Sequence, residues 1–149
     1  MTNRTAKPEN MSWVVPYLIV ADAGAASKFY HDNFGFEILS TAKDDDGKVM
    51  HAELKYKDIV IMCGNSDFSN TATKTPAQSG VASSLVLYIY HENVDALHTA
   101  LNSKGIRVDT PPEDQFWGDR MLSLTDQDGH QWSFATHIAE HEHREQKPG

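Results

Sequence analysis

Tyr17-Leu18-Ile19-Val20 is the stretch that decides the fold, because Tyr88-Ile89-Tyr90-His91 repeats its pattern about 71 residues later. Each copy ends a short apolar run, and bounded runs of this kind predict buried strands, here Trp13–Val20 and Leu85–Tyr90. A pattern that recurs at this separation predicts two similar units within one chain.

A helix is predicted after each of these strands. Asp22 can cap a helix over Ala25–Phe34, and Asn93 can cap a second helix over Val94–Lys104. In both segments the apolar residues recur at helical spacing and fall on one face. The glycines that suit the position after each helix are Gly35 and Gly105.

Three more strands are predicted in each half. They are Phe36–Thr41, Val49–Lys55 and Ile59–Cys63 in the first half, and Ile106–Asp109, Arg120–Thr125 and Gln131–Thr136 in the second. In this alignment Met62 matches Phe134. A unit of four strands and one helix is marginal alone, and pairing two such units buries more apolar surface. The sequence therefore predicts an α+β fold of two βαβββ modules.

We expect one domain between two polar tails. The N-terminal tail is residues 1–11, the domain is residues 12–138, and the C-terminal tail is residues 139–149. Within the domain, module one covers about 12–65 and module two about 83–138. The segment 66–82 between them is rich in Gly, Ser, Thr, Asn and Pro, which is typical of a linker or a long loop.

The composition excludes several classes of partner. Lys and Arg number 13 and Asp and Glu 21, for a net charge of -8. This balance disfavours nucleic acids and anionic membranes, because both are bound through Lys and Arg. One cysteine, Cys63, excludes an internal disulfide. The run Trp13–Val20 has some features of a secretory signal, but it contains a proline and is needed as a strand. We therefore expect a cytoplasmic protein.

The order of these segments resembles the vicinal oxygen chelate superfamily, which includes glyoxalase I, bleomycin-resistance proteins and extradiol dioxygenases. The residues that carry the resemblance are Val15–Val20, Ala25–Tyr30, Phe34–Phe36, Asn93–Leu97, Phe116–Arg120 and Asp126–Trp132. The resemblance implies two βαβββ modules whose mixed sheet curls into a cup with helices on its outer face, the glyoxalase/bleomycin-resistance fold. It also implies that a homodimer often completes the cup.

The resemblance further implies where a metal would lie. Enzymes of the superfamily commonly hold a divalent metal with His and Glu side chains from the first and last strands of each module. The positions in this chain are Val15, Ile61, Val86 and Ser133. A catalytic transition-metal site needs about three donors such as His, Asp or Glu. We therefore expect no metal at these positions and no other cofactor.

Aromatic side chains are expected on the face that would hold the metal, because side chains alternate between the two faces of a strand. The candidate ligand-binding residues on the strands are Tyr17, Tyr88, Tyr90 and Gln131. At or just after the loop Pro111–Trp117, the candidates are Trp117, which could close over a ligand, and Arg120 or Asp119, which could supply charge. Such a face can stack on flat rings and attract cations. The tyrosines could instead fill a dimer interface or a closed core. Trp117 could instead anchor the loop, and Arg120 could form a sheet-stabilising ion pair.

Histidines form two further candidate groups. His51 and Glu53 share one face of a predicted strand about 7 Å apart, and could be an acid–base pair or an ordinary polar pair. His137, His141 and His143 could bind zinc or nickel, or belong to a solvated tail.

The sequence thus predicts a metal-free homodimeric protein that binds a small aromatic or cationic compound. One alternative is an enzyme of the same fold, a lyase, isomerase or transferase that acts on a small oxygenated metabolite through an atypical or metal-independent site. The other alternative is a dimeric interaction scaffold.

Overall fold

The structure is a computed structural model that describes residues 4–67 and 73–140 of the chain. It divides into two compact units, Met1–Val81 and Ala82–Gly149. Each unit contains a four-stranded mixed sheet and follows the predicted order of strand, helix and three strands. This is the α+β arrangement of two βαβββ modules that the sequence predicts.

The first unit builds its sheet in the order β1-β4-β3-β2, with β1 parallel to β4 and the other pairs antiparallel. Its elements are β1 (Tyr17–Val20), α1 (Ala23–Phe34), β2 (Glu37–Lys43), β3 (Val49–Tyr56), β4 (Ile59–Asn65) and a short helix α2 (Pro76–Ser79). A parallel pair needs a crossover connection, and α1 supplies the first part of it. The core on the helix side contains fully buried Tyr30, Phe34 and Phe36.

The second unit repeats this plan in the order β5-β8-β7-β6, with β5 parallel to β8. Its elements are β5 (Val86–Tyr90), α3 (Val94–Ser103), β6 (Thr110–Asp114), β7 (Asp119–Thr125) and β8 (Gln131–His137). Trp132 and Phe134 are fully buried and stack with ring centroids 6.0 Å apart. The Trp132 indole donates to the buried Asp126 carboxylate at 2.9 Å, which satisfies its polar edge.

Both long helices have the predicted N-caps, although α1 begins at Ala23 and not at Ala25, and both are held at equivalent points of the two sheets. Asp22 and Asn93 cap α1 and α3 by accepting from the backbone N–H groups three residues later. At the end of β4, Asn65 Oδ1 accepts from the N–H of Ala23 at 2.6 Å. At the corresponding point of β8, Thr136 Oγ1 accepts from the N–H of Val94 at 3.0 Å. These bonds satisfy backbone donors that a helix start would otherwise leave unpaired.

The strand prediction for Trp13–Val20 is wrong at its beginning, since β1 starts at Tyr17. Pro16 has no N–H to donate, and pairing begins where its carbonyl accepts from the N–H of Met62 at 2.9 Å. Trp13 and Val14 lie before the strand and are about four-fifths exposed, at 79% and 82%.

The strand prediction for Ile106–Asp109 is also wrong, because these residues are irregular and β6 covers Thr110–Asp114. Most of the predicted loop Pro111–Trp117 is therefore strand. Pro111 and Pro112 are tolerated there because β6 is an edge strand, and the register shifts at the prolines between Thr110 and Glu113.

In its described part, the segment between the two halves contains a short helix that the sequence did not lead us to expect. Helix α2 begins with a capping box in which Thr75 and Gln78 each accept from the other's backbone N–H. The Thr-Pro-Ala-Gln pattern was a readable signal for this start.

The register also corrects the internal alignment by one residue. Tyr17 pairs with Met62, and Tyr88 pairs with Ser133, so Met62 corresponds to Ser133 and not to Phe134. Because adjacent residues of a strand point to opposite faces, the error matters for the metal positions. Ile61 lies on the same face as Leu54 and is fully buried, whereas Met62 shares the face of Tyr17.

No helix in the described part of the chain is long and apolar enough to span a membrane.

We expect Asn65→Ala to lower the free energy of unfolding by about 1–3 kcal/mol, because it leaves the buried N–H of Ala23 without its acceptor. Urea denaturation would measure the change. Asn102→Ala, which removes an exposed amide from α3, is the matched control and should cost much less. Equal losses for the two variants would contradict the role assigned to Asn65.

Candidate functional site

Tyr88 and Tyr90 stand on the open face of the second sheet, the face opposite α3. They are 40% and 57% exposed, whereas Ile89 between them is 6% exposed and points toward the helix side. Across the sheet Tyr88 pairs with Ser133 and Tyr90 pairs with Ala135. The predicted alternation is therefore confirmed on this strand, and we call this surface the tyrosine face.

A single buried carboxylate, Asp119, organises the tyrosine face. Its exposure is 1%. Tyr88 Oη donates to Asp119 Oδ2 at 2.6 Å, and Tyr90 Oη donates to the same oxygen at 2.9 Å. His137 Nδ1 lies 3.1 Å from Asp119 Oδ1 and is the donor in that pair, because an ionised carboxylate only accepts. The anion thus has three donors that come from β5 and β8.

Trp117 extends this network outward. Its indole Nε1 donates to the Tyr88 hydroxyl at 3.1 Å. Trp117 belongs to the turn Gln115–Gly118, closed by a bond from the Gly118 N–H to the Gln115 carbonyl at 3.1 Å. The N–H groups of Ile138 and Ala139 donate to the Gly118 carbonyl, at 2.8 and 3.2 Å. The chain after β8 therefore holds the turn that carries Trp117.

Gly118 is needed at this turn. Its φ is +92°, and a Cβ there would overlap the carbonyl oxygen of Ala139. A larger residue would push the turn away from the chain that follows β8.

The ionisation of the cluster follows from these bonds. Burial raises the pKa of Tyr88 to about 12, and its bond to Asp119 adds to that shift. Burial also tends to raise the pKa of Asp119, but the bonds from Tyr88, His137 and Tyr90 outweigh it and lower the pKa. The bond to Asp119, followed by the contact with Glu140, raises the pKa of His137. Both tyrosines therefore stay protonated at neutral pH beside an ionised carboxylate.

Arg120 does not join the tyrosine face. Asp119 and Arg120 are neighbours on β7 and point to opposite faces, as the sequence predicts. Arg120 forms ion pairs with Asp95 of α3 at 3.1 Å and with Asp114 at 2.9 Å. Since these pairs place it on the helix side of the sheet, we omit Arg120 from the candidate site.

Gln131 lies on the tyrosine face at the start of β8, whereas Asp119 pairs with His137 at the end of β8. It pairs with Val86 and with Thr125. Together with neighbouring residues it lines a depression of about 190 Å³ in the second sheet.

In the first unit the corresponding open face carries Tyr17, which is 45% exposed. Its hydroxyl lies 3.2 Å from His51 Nδ1, and the two ring centroids are 5.5 Å apart. Burial raises the pKa of Tyr17, with a smaller contribution from the Cys63 thiol. Glu53 lies in the same row as Tyr17, since both pair with Met62. The structure thus brings His51 against Tyr17 and keeps Glu53 on the same face.

Gly64 makes room for this arrangement. A Cβ at Gly64 would overlap the phenol of Tyr17. The ring therefore lies across the backbone of β4, and only glycine permits that approach.

The positions expected for a family metal do not offer a donor set. After the one-residue correction of the alignment, Met62 takes the position assigned to Ile61. The four positions are then Val15, Met62, Val86 and Ser133, and their side chains supply only a thioether and a hydroxyl. No group of three His, Cys, Asp or Glu side chains lies close enough to hold a metal ion within residues 4–67 and 73–140. His141 and His143 of the suggested histidine cluster lie outside the described residues.

Sequence reasoning named the members of this cluster but expected Asp119 only as a source of charge for a ligand and not as the centre that joins them. Tyr88, Tyr90 and Trp117 were expected to bind ligand, and the structure brings them together around Asp119. Strand alternation predicts His137 on the same face as the tyrosines, but the only role considered for it was that of a possible metal ligand in the tail.

This fold is that of a known superfamily. The model of the Glyoxalase/Bleomycin resistance protein/Dioxygenase superfamily matches residues 10–134, and the chain belongs to that superfamily. Uncharacterized proteins of Mycobacterium bovis and Mycobacterium tuberculosis are similar to it, each 31% identical over 127 residues. These matches cover 84% of this chain and 83% or 74% of the relative.

Solved structures show the same fold. TioX from Micromonospora sp. ML1 superposes with a TM-score of 0.68 at 23% identity, over 85% of this chain and 99% of TioX. A bleomycin resistance determinant encoded on the transposon Tn5 gives a TM-score of 0.60 at 20% identity, over 87% of this chain and 100% of that protein. At these identities the likeness concerns the fold alone.

We expect Gly64→Ala to destabilise the protein by about 1–3 kcal/mol through overpacking against Tyr17. Tyr17→Ala in the Gly64→Ala background removes the clash and should recover most of the loss. Chemical denaturation of the single and double variants provides the measurement. A double variant no more stable than Gly64→Ala would show that the overlap is not the cause.

We expect the stability contributed by the His137 charge to depend on pH. Because the folded-state pKa of His137 is raised, this contribution is fully present below its unfolded pKa and is lost as pH rises through the folded pKa. His137→Asn keeps a donor but not the charge. The wild type should therefore have a higher melting temperature than this variant, and the difference should be larger at about pH 5.5 than at about pH 8.5.

The control for this prediction is the same comparison in an Asp119→Asn background, where the pH dependence should become smaller and only the contribution of Glu140 should remain. A difference between wild type and His137→Asn that stays constant with pH would refute the pairing of the His137 charge with Asp119.

Proposed function

We propose that this chain is a metal-free small-molecule-binding protein of the glyoxalase/bleomycin-resistance type, which sequesters an aromatic or cationic compound. One observation carries the proposal. Tyr88 and Tyr90 expose their rings on the open face of a sheet while their hydroxyls are both bound to the buried Asp119. Exposed aromatic rings held in fixed positions are what stacking on a flat ligand requires.

The energetics favour binding over simple exposure. An aromatic or cation–π contact contributes about 0.5–2 kcal/mol. A side chain that must be ordered on binding costs about 0.5–1.5 kcal/mol, and rings already fixed by Asp119 avoid most of that cost. The ionised carboxylate behind the rings adds a favourable potential for a cation, in a protein whose net charge is -8.

The name of one structural neighbour supports the choice of ligand class. That protein is a bleomycin resistance determinant, and it shares the fold of this chain. We extend to this chain only the proposal that its tyrosine face binds a compound of this general kind.

We further propose that the protein acts as a homodimer in the cytoplasm. Edge strand β2 supports the dimer, since all seven of its residues are exposed, including Ile38 and Leu39. Native proteins usually cover or protect an edge of this kind. The single cysteine, buried Cys63, fits a reducing compartment.

The second candidate is an enzyme of the same fold with a metal-independent site. The contact between the Tyr17 hydroxyl and His51 Nδ1 at 3.2 Å favours it, with Glu53 on the same face. A phenol and an imidazole at this distance can exchange a proton. Isomerase, lyase or transferase chemistry on a small oxygenated metabolite would then need both groups, and His51→Ala would abolish turnover.

Binding can be tested with proflavine, a flat cation, and with bleomycin. We expect both to quench tryptophan fluorescence of the wild type on binding. Tyr90→Ala should weaken the affinity about tenfold, which corresponds to about 1.4 kcal/mol. Trp13→Ala is the matched control, because Trp13 is an aromatic residue outside both sheets and is even more exposed than Tyr90.

The proposed function would be contradicted if neither proflavine nor bleomycin bound. It would also be contradicted if Tyr90→Ala and Trp13→Ala lowered the affinity equally. Circular dichroism of each variant confirms that the fold is retained.

A further inference from the structure

The tyrosine face has a polar half beside its aromatic half. The depression of about 190 Å³ in the second sheet is lined by Val86, Asp109, Ser123, Leu124, Thr125, Gln131, Trp132 and Ser133. Four of these residues, Ser123, Thr125, Gln131 and Ser133, carry uncharged polar groups on the face of Tyr88. We call these four residues the polar row.

Strand register places the polar row directly against the aromatic cluster. Ser133 pairs with Tyr88 on one side and with Ser123 on the other. Gln131 and Thr125 lie two residues further along the same strands, which is a step of about 7 Å. One small ligand can therefore contact the tyrosine rings and the polar row together.

The hydrogen-bonding capacity of the polar row is largely unused. Within the described chain, no residue provides a hydrogen-bond partner for the side chains of Ser123, Gln131 or Ser133. Thr125 differs, since its hydroxyl donates to Asp109 Oδ2 at 2.7 Å. Two hydroxyls and one amide are thus available to a ligand, both as donors and as acceptors.

The charges around the depression select against an anionic ligand group. Asp109 is a lining residue, and Arg107 Nε lies 3.7 Å from its carboxylate. The lining residues, all within the described chain, include no Lys or Arg. A phosphate or carboxylate in the depression would be repelled by Asp109, and no lining cation would pair with it. A hydroxyl or amide could instead form hydrogen bonds with the neutral polar groups.

We propose that the tyrosine face takes a two-part compound. Its flat aromatic group stacks on one of the Tyr88 and Tyr90 rings, which are inclined at 68° to each other, and meets the other ring edge-on. Its uncharged hydroxyl- or amide-bearing group lies in the polar row. A glycosylated or amide-linked aromatic compound has this chemistry. The inference rests on the proposed function and narrows it from any aromatic or cationic compound to one with a neutral polar extension.

Two fluorescent probes that share one ring system test the inference. They are 4-methylumbelliferyl β-D-glucoside and 7-methoxy-4-methylcoumarin, which carries the same ring without the sugar. We expect the glucoside to bind about tenfold more tightly or better, as one or two added hydrogen bonds would produce. Titration calorimetry on the full chain measures both dissociation constants.

Variants separate the two halves of the site. Ser123→Ala with Gln131→Leu should reduce the ratio of the two dissociation constants to about one. Tyr90→Ala should weaken both probes by the same factor and leave the ratio unchanged. Ser40→Ala on the exposed strand β2 removes a matched hydroxyl and should change neither value.

The outcomes distinguish this inference from the proposed function. Equal affinity for the two probes, or binding of proflavine with neither coumarin, overturns the two-part site and leaves the proposed function standing. A ratio that survives loss of the Ser123 and Gln131 polar groups also overturns it. If proflavine, bleomycin and both coumarins all fail to bind to folded protein, the proposed function fails as well.

Discussion

The carboxylate of Asp119 is the group on which the open face of the second sheet depends. A buried anion is costly unless donors surround it, and here Tyr88, Tyr90 and His137 all donate to it. Those bonds join β5, β7 and β8, and they fix the direction of both tyrosine rings. Trp117 is added through the Tyr88 hydroxyl. Removal of this one charge would therefore loosen Tyr88, Tyr90 and Trp117.

The two units use the same repeated position in different ways. Tyr17 and Tyr88 have equivalent places in register, each beside the last strand of its sheet. In the first unit the residue two places along that last strand is Gly64, so the Tyr17 ring lies across the backbone and contacts His51. In the second unit the corresponding residue is Ala135, and Tyr88 reaches Asp119 instead. A difference of one methyl group therefore accompanies two distinct environments for one repeated side chain.

Local signals explain which parts of the fold could be predicted. The caps Asp22 and Asn93 and the two long helices were found because capping and helical spacing are read within a few residues. Strand β6 was misplaced because Pro111 and Pro112 indicate a loop, and only its edge position makes them acceptable in a strand. The metal position at Ile61 was wrong by one residue, since side-chain direction depends on pairing with β1, which the sequence does not display.

The sequence by itself determined the repeated order of strand, helix and three strands, and it determined that Tyr17, Tyr88 and Tyr90 share the open faces. Both follow from periodicity, which is a property of neighbouring residues. Only the tertiary structure decided that Asp119 joins Tyr88, Tyr90 and His137, and that Arg120 pairs with Asp95 on the other side of the sheet. Those partners are 18 to 31 residues apart in sequence, and strand register, the turn before β7 and helix packing together bring them within bonding distance.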